Sequence, residues 1–179
     1  MPHKTYPNRK KIPTNHSSKE LNLINPEHSK MKNGMDLFLI ESGVEDVCRI
    51  DIVVGAGSSF QEKKLCSSYT NQLLKEGTKD YTSTQIAEKL DFFGAYLSSS
   101  ISKDKSVITL FSLTKHLSSL LPMLKSIVTE AIFTNEEFDV HLIRNRQEFL
   151  INSEKARYIA TSEFNKLMFG ENSAYGQVL

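Results

Sequence analysis

The side chains able to ligate a metal are few and poorly spaced. The five histidines are His3, His16, His28, His116 and His141. No two lie three or four apart, so none presents two imidazoles on one helical face. His3, His16 and His28 fall in or beside a polar N-terminal segment, His116 opens an apolar helix next to Lys115, and His141 sits among charged residues of another helix. Each reads as a surface or capping histidine. A relocated metal site would have to join His116 or His141 to Glu148 or Glu154. His141 and Glu148 are seven residues apart, about 10 Å along a helix, too far for shared ligation without another element.

Nucleophilic chemistry finds as little. Cys48 and Cys66 lie in or beside apolar segments and read as buried free thiols rather than a disulfide framework. No base adjoins Cys66, and no G-x-S-x-G elbow, Walker loop or dinucleotide fingerprint is present. One stretch stands out, Cys66 to Thr78, CSSYTNQLLKEGT. Its helical pattern carries Ser68, Asn71 and Gln72 on a polar side and no carboxylate before Glu76.

The elements around that stretch come from periodicity and turn signals. Asn33-Gly34 is a turn dipeptide leading into MDLFLIES, and CRIDIVVGAG follows after Ser42-Gly43; two adjacent antiparallel strands are expected. Leu65 to Glu76 reads as a helix stopped by Gly77. Thr82 with Gln85 forms a capping box for a helix closed by Gly94. AYLSSSIS and SVITLFSL, separated by Lys103-Asp104-Lys105, read as a hairpin. Leu117, Leu120, Leu121, Leu124, Ile127, Val128 and Ala131 mark one helical face, Thr134 with Glu137 caps a second helix, and a third reaches about Phe169. The order ββαα ββααα predicts an α+β domain, a mostly antiparallel sheet covered on one face by helices.

Composition narrows the function classes. A chain of 179 residues supports one sizeable domain. Residues 1–25, rich in Pro, Asn, Ser and Lys, read as a flexible polar tail, and 26–179 as a single domain. Lys and Arg total 22 against 21 Asp and Glu, a formal charge of +1, which argues against nucleic acid or an anionic membrane as the main partner. No run approaches the roughly 18 apolar residues that span a bilayer, and the N-terminal stretch has no apolar h-region. A cytoplasmic location is the default expectation.

From Asn33 to Gly176 the chain resembles the N-terminal domain of the pitrilysin/insulinase zinc metallopeptidases, the group that includes the mitochondrial processing peptidase. The landmarks are the Asn33-Gly34 turn, IDIVVGAGS with Gln61-Glu62, Glu76-Gly77-Thr78 and Phe93-Gly94-Ala95. They continue in the serine-rich strand with Lys103-Asp104, in Phe133 with Glu136-Glu137, in Phe169-Gly170 and in Tyr175-Gly176. No one of them is specific; their shared order and spacing are. In that family the first helix carries H-x-x-E-H, two zinc-binding histidines flanking the general base. Counting back from Gly77-Thr78 places those positions on Ser68, Asn71 and Gln72.

A hydroxyl and a carboxamide are poor zinc ligands beside imidazole, and Asn71 cannot take a proton from water. Loss of a general base alone lowers rates by about 10²–10⁴. The family's third ligand is a glutamate on the long helix, for which Glu154 and Glu148 are the candidates. The resemblance thus implies an inactive member without zinc. It further implies that the chain is truncated before the last strand of its domain, and that a second domain supplying an Arg and a Tyr lies outside it. The family holds peptides as an added strand on a sheet edge, and Ser98, Ser99 and Ser100 fall on the corresponding strand. The expected role is a non-catalytic subunit binding a peptide or an active homologue, as a homo- or heterodimer. The alternatives are a metalloendopeptidase with a non-standard metal site and a purely structural scaffold subunit.

Overall fold

Asn33-Gly34, with Gly34 at φ +87°, folds β1 (Glu27–Lys30) back onto β2 (Asp36–Leu39), Glu27 opposite Leu39 and Lys30 opposite Asp36. Glycine adopts this left-handed conformation without a Cβ clash. The computed structural model describes residues 23–177. The chain divides into two compact units at Glu45/Asp46; the β1–β2 hairpin lies in the first. The expected polar tail falls almost wholly outside the described residues.

The second unit begins with β3 (Val47–Val54) and continues through α1 (Cys66–Leu73), α2 (Ser83–Phe93), β4 (Tyr96–Ile101) and β5 (Ser106–Leu113). It closes with α3 (Leu117–Thr129), α4 (Asn135–Ser153) and α5 (Ala156–Phe169), and short 3-10 turns precede α1 and α3. Its sheet has the order β3-β5-β4, antiparallel throughout. The expected pairing of the first two apolar strands is corrected here: β2 pairs with β1, and β3 with β5. The sequence EHSK of β1 has no apolar alternation to announce a strand. In β3, by contrast, Ile50 and Ile52 fall opposite Leu110 and Ile108 over an eight-residue register, so both apolar rows face one side.

That side is the core. Leu97, Ile108 and Leu110 meet Ile86 of α2 and Leu120, Met123, Leu124 and Ile127 of α3, an i, i+3, i+4, i+7 stripe. Each such side chain contributes about 1.5–3 kcal/mol on burial. Leu121, expected on this stripe, is 44% exposed. The opposite side of the sheet is solvated: Tyr96 and Phe111 are exposed and paired, and Asp51 accepts hydrogen bonds from Thr109 Oγ1 (2.7 Å) and Arg49 Nε (3.1 Å). Thr109 chiefly, with Arg49, outweighs burial and lowers the Asp51 carboxyl below its ordinary value. Helices therefore cover one face of an antiparallel sheet, as the element order implies.

Local contacts shape the ends of α2, α4 and α1. Thr82 and Gln85 form the full reciprocal capping box, and Gly94 at φ +58° ends α2. Thr134 accepts from the Glu137 N–H at the start of α4. Gly77 does not act as a left-handed stop: α1 ends at Leu73, and Gly77 instead bridges Thr82 and accepts from the Ile132 N–H. Thr78 is buried, and its hydroxyl accepts from Ser126 of α3 at 2.9 Å and from two backbone N–H groups. Ahead of α1, residues 57–59 hydrogen-bond along the β4–β5 hairpin tip, Gly57 N–H to Asp104, Ser58 N–H to Ser102 and Ser59 N–H to Lys103.

Candidate functional site where α1 meets α4

Helix α1 starts from Leu65, a non-glycine residue at φ +68°, a conformation that clashes at Cβ and persists only where surroundings hold it. Ser67 helps hold it: its N–H donates to Gln61 Oε1 and its hydroxyl to the Gly57 carbonyl. From that start, Ser68 and Gln72 lie one turn apart on the side that meets α4, and Gln72 Nε2 donates to Ser68 Oγ at 3.3 Å. Asn71 is turned elsewhere. It is 2% exposed, and its Nδ2 donates to Ser106 Oγ of β5 at 2.5 Å. The three positions read as one motif in the sequence thus belong to two separate contacts.

Across from Ser68 and Gln72 stands His141 of α4, which is 3% exposed. The surface or capping role expected for it is corrected: its helix face is sealed against α1. His141 Nε2 lies 3.0 Å from Glu76 Oε1, and Arg144 Nη2 lies 2.7 Å from His141 Nδ1. An arginine nitrogen can only donate, so Nδ1 accepts and Nε2 carries the proton given to Glu76. The 3.3 Å approach of Gln72 Oε1 to Nδ1 is then a contact between two acceptors and not a hydrogen bond. Gln72 Oε1 is satisfied instead by Asn145 Nδ2 at 3.0 Å. Two hydrogen-bonded groups therefore lie side by side in this polar network, Ser68–Gln72–Asn145 and Glu76–His141–Arg144, each joining the α1 side to α4.

The network does not suit zinc. Its one imidazole presents its lone pair to a cation, and the remaining groups near it are two carboxamides, a hydroxyl and a single carboxylate. Among the described residues no three His, Cys, Asp or Glu side chains come together. Glu148 and Glu154 are exposed on α4 and at its C-cap, and the α4 side chain that reaches Gln72 is Asn145. His116 is half-buried with its ring 5.0 Å from that of Phe93, and among the described residues no carboxylate joins it. Cys66 is exposed rather than buried, and Cys48 is half-buried.

Strand β4 lies at the sheet edge, with β5 on one side and no described strand on the other. Ser98, Ser99 and Ser100 pair with Thr109, Ile108 and Val107, and α1 packs against the same strand. The serine-rich strand and the altered helix are therefore neighbours. Sequence reading missed Asn145 and Glu76 as members of the site and weighed His141 only for a relocated metal site with Glu148 or Glu154. A signal existed: His141 and Asn145 are four apart and share a helical face.

The family model described as insulinase (Peptidase family M16) matches residues 37–173. An uncharacterized zinc protease of Rickettsia felis is 26% identical over 111 residues, 61% of this chain and 27% of the relative. One from Rickettsia bellii is 24% identical over the same shares. The matched part thus spans about a quarter of these curated relatives. The crystal structure of a peptidase M16 inactive domain from Pseudomonas fluorescens superposes with a TM-score of 0.77 at 21% identity, covering 86% of this chain and 38% of that one. Among the described residues no helix is long and apolar enough to cross a membrane.

Proposed function

The chain belongs to the insulinase family, peptidase family M16, and from that premise we propose that it is a non-catalytic, zinc-free member that binds an extended peptide or an active homologue along β4. The observation that carries the reading is the polar network between α1 and α4. By the count from Gly77-Thr78 we assign the family's two zinc-binding positions to Ser68 and Gln72 and its general base to Asn71; Asn71 is committed to Ser106, Gln72 to Ser68, and Arg144 to the His141 imidazole. An arginine beside that nitrogen also opposes a divalent cation. Support for binding comes from β4, an edge strand with no described strand on its outer side, the arrangement that strand addition uses. The family resemblance to an inactive domain in Pseudomonas fluorescens agrees with it in fold.

The test uses the purified chain in two parts. Elemental analysis should find well under one zinc per molecule after equilibration with excess metal, with no cleavage of an unstructured fluorogenic peptide. Stoichiometric zinc or chelator-sensitive cleavage would overturn the non-catalytic reading. Fluorescence anisotropy with extended peptides should show saturable binding that is weakened by Ser98→Pro or Ser99→Pro, since of two successive strand residues one turns its N–H outward. Binding unaffected by both variants, with the sheet intact by circular dichroism, would refute the β4 site and leave a scaffold role.

A further inference from the structure

We propose that the outer face of α4 is a self-association surface, on which two copies of this chain pair antiparallel, α4 against α4. A surface helix ordinarily turns its apolar side to the core and its polar side to water. Helix α4 does the reverse. Its partly or wholly buried residues are Glu137, His141, Asn145, Asn152 and Ser153, every one of them polar. Its apolar residues Val140, Leu142, Ile143, Phe149 and Leu150 are exposed, Ile143 at 66%. Apolar side chains grouped in this way on a surface mark an interaction site. The face is separate from β4, so the pairing is independent of peptide binding there.

The charges on this face identify what covers it. Glu136, Asp139, Ile143, Arg146 and Leu150 follow one another at alternating steps of three and four residues, the seam of a helix pair. His141 lies on the opposite side of the helix, against Glu76. Glu136, Asp139 and Arg146 are exposed, and among the described residues none of them forms an ion pair. The two acidic residues occupy the N-terminal half of the seam and the arginine its C-terminal half. Two copies aligned in parallel would set each charge against its own kind, which destabilises. Reversing one copy sets Glu136 of each opposite Arg146 of its partner and opposes the two helix dipoles. Val140, Leu142 and Ile143 then gather near the two-fold axis, between the two ion pairs. The face is thus complementary to itself, as a two-fold interface requires.

Sedimentation equilibrium of the purified full chain over a range of concentrations tests the pairing, with circular dichroism confirming that each variant is folded. A reversible monomer–dimer equilibrium is expected. Ile143→Asp should weaken it tenfold or more. Arg146→Glu and Glu136→Arg should each weaken it by a similar factor. The chain carrying both charge substitutions should recover the dimer, because the exchanged charges again face each other. That recovery separates the pairing from nonspecific apolar association. Ser98→Pro should leave the dimer intact; its loss in that variant would move the contact to β4 and overturn the α4 pairing. A chain that stays monomeric up to about 1 mM, polydisperse aggregates in place of a dimer, or a double variant no better than the single ones would overturn it as well.

Discussion

Replacing His141 by alanine should destabilise the chain by about 3 kcal/mol. The imidazole is 3% exposed and joins Glu76 at 3.0 Å and Arg144 at 2.7 Å. A hydrogen bond to a charged group contributes about 1.5–3 kcal/mol net. The two bonds do not count equally. Arg144 is exposed and regains water when the ring is removed, so its loss is small. The Glu76 side chain is only 22% exposed and stays largely desolvated, so most of one charged bond is lost, near 2 kcal/mol. The space left by the ring adds about 1 kcal/mol. Urea unfolding followed by circular dichroism measures the sum. His141→Phe keeps the volume and should retain the bond loss of about 2 kcal/mol. A cycle pairing His141→Ala with Glu76→Gln should give a coupling of at least about 1 kcal/mol. Variants within about 0.5 kcal/mol of the parent, with no coupling, would show that the network does not hold α1 to α4.

Gly57→Ala should destabilise by about 2 kcal/mol or more, because a Cβ there meets the backbone of Lys103 and Asp104, which cannot swing aside; thermal unfolding measures it, and an unchanged midpoint would refute the close approach. Thr109→Val should raise the Asp51 pKa toward its ordinary value by removing the main stabilising hydrogen bond, as read by carboxyl-carbon NMR titration. The folded-state pKa of Asp51 lies below the unfolded one, so its stabilisation is present above the unfolded pKa and is lost as pH falls through the folded one. The stability difference between parent and Thr109→Val should therefore be present at neutral pH and shrink in acid.

Local chemistry announced much of the fold. The Thr82–Gln85 box, the left-handed Gly94, the β4–β5 hairpin and the apolar stripe of α3 all rest on contacts within a few residues or on a simple period. β1 was illegible because its four residues are polar and its pairing depends on a partner strand. The site was legible as a set of positions and not as contacts. Ser68, Asn71 and Gln72 follow from counting along one helix, but which of them faces α4 depends on the crossing of two helices some 70 residues apart in sequence. His141 looked solvated because charged residues surround it in sequence; the helix turns Asp139 to another face and brings Arg144 onto the ring.

The dual engagement of Gln72 makes this contact resistant to piecemeal change. Its carboxamide donates to Ser68 and accepts from Asn145, so a substitution at Gln72 removes partners from groups on both helices. Changing Gln72 to histidine leaves Asn145 without its acceptor and sets a second imidazole beside one already claimed by Arg144. The α1–α4 contact thus behaves as a shared fastener: a side chain that serves both helices at once cannot be exchanged without loosening both.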